Sequence, residues 1–523
     1  MPALTLDTQP LTIPAVLDVA RLARSVTLGD AARSAIEASR SVIEQNAAGD
    51  AAVYGVNTGF GSLARHRIDP AGVRTVQRNL VRSHAAGVGP PLPTDVVRAM
   101  MVTLAGSLAR GHSGVRPVLV EHLLDLLNHG VTPVVPSRGS VGASGDLAPL
   151  AHVALVLIGE GQATAGDRVL PGRQALDRAG LEPVTLEAKE GLALINGTHL
   201  MTAMAALALA DIDQLLDAAL CGVGLAIDAC RATDQTLDER VHALRRQPGQ
   251  IEVARVLRAL LAGSSILPAH RHHDPRVQDP YSLRAAPQVL GAVVDAMAFA
   301  RGVVERELGA VTDNPLVFAG GPDILSGANF HGLPLALALD TMTIALTHVA
   351  GIAERRIDWL LRASDQENPI NVYLSPDPGL HSGLMITQYT AAACCNELQT
   401  LTAAASVANI PTSAGMEDYN SFGPTSAHQV WRAIELLRSV VAIELLVMTE
   451  AIDYQRPLRT GTALERVYQT IRLTVPRLTE DRPPAPDIAA IEGLISGGVF
   501  ALSTLGVTPC GGDAPEGASR PTP

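Results

Sequence analysis

Lysine is almost missing from this chain. Lys189 is the only one, and the rest of the positive charge is arginine. Covalent chemistry through a side-chain amine is therefore limited to one residue. Lys189 has no phosphate-binding Gly/Ser loop beside it, which argues against a pyridoxal-phosphate enzyme. No Lys/Arg-rich block occurs, and the formal net charge is -12 with a pI of about 5.7. An electrostatic footprint for nucleic acid is excluded on that ground. Cysteine is scarce: five residues, Cys221, Cys230, Cys394, Cys395 and Cys510, odd in number and without C-x-x-C spacing. They read as reduced thiols of a cytoplasmic protein, not as a disulfide framework. The start, Met1-Pro-Ala-Leu-Thr-Leu-Asp7, lacks a basic segment ahead of an apolar one, so no signal peptide is expected. Apolar runs such as 147–159, broken by His152, are read as too short or too interrupted to span a bilayer, so no membrane partner is expected. Aromatic residues make up only 3% of the chain, so a tyrosine in a polar loop carries information.

What is present is a long apolar chain: 523 residues, 47% hydrophobic, with mean hydropathy +0.21. That suffices for a large core and more than one structural unit. Helical periodicity covers roughly 71–86, 95–111, 116–129 and 147–157, after a strand-like start and a helix near 30–48. From residue 199 long periodic segments dominate, at about 199–231, 284–310, 334–362, 384–405 and 426–453. In the last of these, Val430, Ile434, Leu437, Val441 and Leu445 form a one-sided stripe, which needs other helices to cover it. The fold expected is mainly α: a long central helical bundle with a smaller N-terminal α+β portion. The expected domains are 1–198, 199–455 and a C-terminal segment 456–523, with a last helix near 487–497 and a disordered tail from 508.

Reactive side chains sit in the polar interruptions. Gly139-Ser-Val-Gly-Ala-Ser-Gly-Asp-Leu-Ala-Pro-Leu150 holds three glycines before an apolar helix. The bland reading is a glycine-rich turn. It is not a hydrolase elbow, because Asp146 stands where that motif needs Gly, and it is not a phosphate loop, because it has no Lys. A backbone reaction is open to it. If the Gly145 amide nitrogen meets the Ala143 carbonyl carbon, a five-membered ring closes. Loss of water from that ring and from the Ser144 hydroxyl leaves an electrophilic methylidene.

Tyr54 lies in the loop Tyr54-Gly-Val-Asn-Thr-Gly-Phe-Gly61. A phenol, with a pKa of about 10, acts as a base only where its phenolate is stabilised. His84 ends a helix, where a cap is the usual role. Asn196 precedes Gly197, which is ordinary turn chemistry. Gln278-Asp-Pro-Tyr281-Ser-Leu-Arg284 gathers an amide, a phenol and a guanidinium, the last suited to a carboxylate. Arg271-His-His-Asp-Pro275 offers two histidines but no third ligand at useful spacing, so no metal is expected. Phe330 lies in Ser326-Gly-Ala-Asn-Phe330-His331, and Glu417 in Thr412-Ser-Ala-Gly-Met-Glu-Asp-Tyr419; a carboxylate there is an N-cap or a ligand contact. The layout recurs: a polar loop with one reactive group, then a long apolar helix.

In this order, from about residue 50 to 455, these stretches resemble the aromatic amino acid ammonia-lyase family, which includes histidine, phenylalanine and tyrosine ammonia-lyases and related aminomutases. The resemblance rests also on Asn79-Leu-Val-Arg-Ser-His-Ala-Ala-Gly87, Lys189-Glu-Gly-Leu-Ala-Leu-Ile-Asn-Gly-Thr198, Thr312-Asp-Asn-Pro-Leu-Val-Phe318, Gly327-Ala-Asn-Phe-His-Gly332 and Ala353-Glu-Arg-Arg356. It implies a homotetramer and a 4-methylidene-imidazol-5-one (MIO) group formed autocatalytically from Ala143-Ser144-Gly145, with Asp146 assisting and no external cofactor. By the same resemblance Tyr54 is the base for the substrate β-proton and Arg284 holds the carboxylate. Asn196, Gln278 and Tyr281 orient the amine and the electrophile, and Phe330 lines the pocket. The His84 stretch resembles the histidine enzymes, although tyrosine enzymes and aminomutases can also carry His there; Glu417 matches the histidine enzymes, and a carboxylate suits an imidazole, so L-histidine to urocanate is the leading reading. The alternative is a tyrosine or phenylalanine ammonia-lyase or a 2,3-aminomutase. The surroundings of Glu417 (Gly415-Met-Glu-Asp-Tyr419), Asn368-Pro-Ile-Asn-Val-Tyr-Leu374 and Ala404-Ala-Ser-Val-Ala-Asn409 depart from the histidine pattern, and Pro376-Asp-Pro-Gly-Leu-His-Ser-Gly383 is closer to tyrosine enzymes or aminomutases. A fumarase-like lyase would need a serine loop with Lys and Met-Pro, which is missing. A non-catalytic relative is disfavoured by the intact triplet, Tyr54, Asn196 and Arg284.

Overall fold

The computed structural model describes residues 1–47, 52–59, 67–271, 276–321, 323–365 and 368–511. Phe60 and Gly61 of the Tyr54 loop, the His272-His273 pair and residues 512–523 of the tail lie outside the described residues. Among the described residues nineteen α-helices and nine short strands are found.

The long helices fall where the periodicity placed them: His199–Ala229, Ala286–Glu307, Leu333–Leu361, Met385–Thr400 and Gly423–Gln455. The shorter N-terminal ones do so as well, at Val73–His84, Thr94–Ala109, Pro117–Asn128 and Leu147–Leu157. Helices at Pro248–Leu261 and Thr462–Thr474 were not foreseen. Both carry a mixed apolar and charged face, and both sit among prolines, which the eye takes for loop. The mainly helical class with a smaller α+β portion is what the structure shows.

One expectation needs correction. Ala286–Glu307 and Leu333–Leu361 are long and apolar enough, by length and composition, to cross a membrane. Of the apolar window in Leu333–Leu361, 61% is buried inside the protein, as in the core helix of a large globular fold.

The Cα positions group into two compact units, each drawing on stretches far apart in sequence. One comprises 1–208, 300–340 and 404–428; the other comprises 209–299, 341–403 and 429–523.

The first unit contains all the described strands. Leu4–Leu6 pairs in parallel with Val26–Leu28, and Val131–Pro133, Gln162–Ala165 and Arg168–Pro171 form an antiparallel sheet. Val88–Pro91 pairs antiparallel with Pro136–Arg138, in register Val88↔Arg138 and Pro91↔Pro136. That ribbon delivers the chain to Gly139. Thr94–Ala109 is buried nearly all round and forms the centre of this unit's core.

In the second unit the predicted stripe is buried, with Val430, Leu437, Val441 and Leu445 all at 0% exposure. Burial extends round the whole helix from Val440 to Glu450. One charge pair lies inside this core. The Arg356 guanidinium donates to Glu444 through Nε (2.5 Å) and Nη2 (3.1 Å), and both side chains are fully buried. Gly222 leaves room for the carboxylate: a Cβ there would lie 2.9 Å from Glu444 Oε2. Removing one partner strands the other charge in a dry core. We predict that Glu444→Gln lowers stability by roughly 3–5 kcal/mol, read as a fall in the thermal unfolding midpoint. A paired Arg356→Met/Glu444→Leu exchange is expected to recover most of the loss.

Candidate active site

The Gly139 loop is held in place by other loops of the first unit. The Val141 carbonyl accepts from the Phe422 amide at 2.9 Å, and the Gly142 carbonyl accepts from Gly332 N (3.1 Å) and Ser421 Oγ (2.9 Å). At the far end Asp146 N donates to Gly197 O at 2.7 Å, and Gly145 forms an isolated bridge with Gly197. Two glycines are obligatory here. Gly142 (φ +66°) and Gly145 (φ +74°) are both left-handed, and an added Cβ would lie 2.2 Å from Ser421 Oγ in one case and 2.1 Å from Gly197 O in the other.

Three predicted residues are brought together by direct contact. Ser144 Oγ donates to Glu417 Oε1 at 2.7 Å, and Asn196 Nδ2 donates to the Ser144 carbonyl at 2.7 Å. Glu417 is itself positioned by Thr412, whose hydroxyl donates to Oε2 at 2.8 Å while the two backbones form a bridge. The sequence reading assigned no role to Thr412. The Thr-x-x-x-x-Glu spacing around a Gly turn was the available signal.

Asp146 is fully buried directly behind the triplet. Its Oδ2 accepts the amides of Leu200 (2.9 Å) and Met201 (3.0 Å), in the first turn of the His199–Ala229 helix; its Oδ1 faces Ser140 Oγ at 2.9 Å. Burial nonetheless outweighs these bonds and the helix end, and with the Glu307 charge nearby pushes its pKa from 3.8 up to about 7.

The other predicted residues have their own settings. Phe330 is half-buried, two residues before the Gly332 amide that holds the loop; its neighbour His331 donates from Nε2 to the Tyr419 carbonyl (3.0 Å) and stacks on the Tyr419 ring at 6.2 Å. Tyr54 is half-buried in a turn in which Gly55 O accepts from Gln77 Nε2 at 3.3 Å. His84 ends its helix, with Nδ1 donating to Leu80 O at 2.9 Å, so the capping role holds and Nε2 is the nitrogen left over. Lys189 is also accounted for: buried, with Nζ 2.8 Å from Asp313 Oδ2.

Gln278, Tyr281 and Arg284 belong to the second unit. Gln278 is exposed, Tyr281 is 71% exposed, and the Arg284 guanidinium lies 4.6 Å over the Tyr281 ring. Arg284 Nε is buried without a hydrogen-bond partner, so this cation is only partly satisfied.

The chain matches the family described as aromatic amino acid lyase over residues 11–473. It belongs to the aromatic amino acid lyase family. A histidine ammonia-lyase from Koribacter versatilis is 47% identical, over 96% of this chain and 99% of its own length. Among solved structures, histidine ammonia-lyase from Trypanosoma cruzi superposes with a TM-score of 0.89 at 36% identity, covering 96% of this chain and 95% of that one. Tyrosine aminomutase from Streptomyces globisporus superposes with a TM-score of 0.90, also at 36% identity, covering 96% and 98%. As a member of this family the chain is a carbon–nitrogen lyase of the ammonia-lyase kind.

Burial keeps Asp146 protonated in the folded state up to about pH 7. The folded state binds a proton that the unfolded state has already released between pH 4 and 7, so stability falls as pH rises through that window. We predict that the unfolding midpoint of the wild type, measured relative to Asp146→Asn, rises as pH is lowered from about 7 to 5.

Proposed function

We propose that this lyase is a histidine ammonia-lyase, eliminating ammonia from L-histidine to give urocanate. Its electrophile is an MIO group formed from Ala143, Ser144 and Gly145, without an external cofactor or metal. The observation that carries this reading is the Ser144 Oγ to Glu417 Oε1 contact, which puts a carboxylate at the serine of the triplet. The residues fit the group: two left-handed glycines frame the triplet, Asp146 is buried behind it, and Asn196 donates to the Ser144 carbonyl, an atom retained in the ring.

The group supplies an electrophilic carbon that takes up the substrate amine and improves its departure. Asn196 draws electron density toward the Ser144 oxygen, which strengthens that electrophile. The Ser144 hydroxyl leaves when the group forms, so Glu417 Oε1 loses its partner and becomes free to accept an imidazole N–H. Thr412 keeps the carboxylate aimed. A phenyl ring offers Glu417 nothing, and leaving this half-buried acceptor unpaired penalises it. Tyr54 as base, Arg284 as carboxylate clamp, Gln278 and Tyr281 as orienters, and His84 and Phe330 as pocket residues enter this proposal on their motif match.

Tyrosine aminomutase chemistry is the second reading. It is favoured by Tyr419 beside Glu417, by the 376–383 segment, and by the superposition on the Streptomyces enzyme.

A cytoplasmic homotetramer is part of the proposal. On the Met385–Thr400 helix only Thr387, Ala391 and Leu398 are buried, while Ile386 and Tyr389 are 50% and 58% exposed. A helix left this open, with apolar side chains exposed, supports a protein interface there. The net charge of -12 speaks against nucleic acid, and all five cysteines are free thiols. The two long apolar helices are read as core helices, not spans.

Two measurements test the reading. Native protein is expected to show a near-ultraviolet absorbance that Ser144→Ala lacks, and ammonia release from a panel of L-His, L-Tyr and L-Phe, with β-isomers checked, is expected to favour L-His. Preference for L-Tyr, or a β-amino acid product, would transfer the assignment to the second reading. Tyr54→Phe is expected to lower kcat by roughly 10²–10⁴-fold; unchanged turnover removes Tyr54 as the base.

A further inference from the structure

Ser140 stands at the foot of the triplet and touches both of its flanks. Its Oγ accepts the Gly142 amide at 3.2 Å, just before Ala143. The same oxygen lies 3.2 Å from the Gly145 carbonyl and 2.9 Å from Asp146 Oδ1, just after the triplet. A single side-chain oxygen therefore joins the two ends of the segment that must close on itself.

We propose that Ser140 is a positioning residue for formation of the electrophile, cinching Gly142 to Gly145 so that the Gly145 nitrogen is held toward the Ala143 carbonyl carbon. This rests on the MIO reading above. The chemistry balances without an oxidant. The Gly145 N–Ala143 C bond forms, and the Ala143 oxygen leaves as water with the amide hydrogens of Gly145 and Ser144, leaving a C=N bond. A second water takes the Ser144 hydroxyl and its Cα hydrogen.

Ser140 has one hydrogen and two acceptors in reach. When Asp146 is ionised, that hydrogen goes to Oδ1. When Asp146 is protonated, the proton sits on Oδ1, because Oδ2 already takes two amides. Oδ1–H then donates to Ser140 Oγ, and the serine hydrogen is released to the Gly145 carbonyl. With the Asp146 carboxyl raised to about 7 by burial, both arrangements are populated near neutrality. Holding reacting atoms together in this way is an entropic contribution to rate.

The test follows mass over time in newly synthesised full-length protein. Wild type is expected to lose the mass of two waters. Ser140→Ala is expected to do so roughly ten- to a hundredfold more slowly, as loss of one or two hydrogen bonds implies. Ser140→Thr, which keeps the hydroxyl, is expected to restore the wild-type rate; Ser140→Cys, which fills the space with only a weak hydrogen-bonding group, is expected to stay slow, where a merely space-filling role would restore both. Folded Ser140→Ala that loses both waters at the wild-type rate overturns the proposal. Should that variant not fold, the rate is read on Ser140→Cys, whose thiol fills the site but is a weak donor, and a wild-type rate there overturns it equally. Wild type that retains both waters would instead overturn the MIO reading itself.

Discussion

The Asp146 carboxylate is the contact on which the rest of the site depends. It is fully buried, it accepts the first amides of the His199–Ala229 helix, and it meets the one hydroxyl that ties the triplet together. A helix start leaves amide groups without partners, and a loop carboxylate that fills that role is held where the helix is held. The glycine loop thereby takes its position from a 31-residue helix that adjoins it. The same stretch, through Asn196 and Gly197, also grips the Ser144 carbonyl and the Asp146 amide. Loop, helix start and orienting amide are therefore one hydrogen-bonded object.

Buried charge stiffens the approach to that object. Asn196 follows the Glu190–Ile195 helix, whose first residue is locked by Arg116 through two side-chain bonds (2.8 and 2.7 Å) and one backbone bond (3.0 Å). Lys189, left-handed at φ +73°, is pinned to Asp313 one residue earlier. A charge taken out of water is tolerated only with its partners in place, so each pair admits one arrangement of the chain. In a chain with so little aromatic anchoring, these pairs and the helix-end bonds supply the local rigidity that a site needs. The lone lysine is thus scaffold: an amine held in a buried ion pair is not available to a carbonyl substrate.

Much of the helical framework was legible because long helices advertise themselves. The stripe from Val430 to Leu445 recurs over four turns, and no strand or loop produces that pattern. Helices of ordinary length among prolines, such as Pro248–Leu261, were missed because their apolar face is narrow and their ends look like turns. Ala286–Glu307 and Leu333–Leu361 show the converse of the expectation that the apolar runs are too short or too interrupted to cross a membrane: hydropathy averages over a window and tolerates a few charges within it. Within the candidate site, residue types were readable but partnerships were not. Ser140 and Thr412 stood in quoted stretches without a role, because a hydroxyl acquires meaning only from the atom it faces.

By itself the sequence determined the helical class, the family and the triplet Ala143-Ser144-Gly145, since these rest on periodicity and on the order of motifs along the chain. The tertiary structure decided which of those motifs meet. Ser144 and Glu417 lie 273 positions apart and share a hydrogen bond of 2.7 Å. Asp146 and Met201 lie 55 apart and share another. Side-chain periodicity reports how a segment is covered over a few turns. It carries no record of which distant loop brings the covering, and so the proton state of Asp146 and the setting of Glu417 belong to the fold alone.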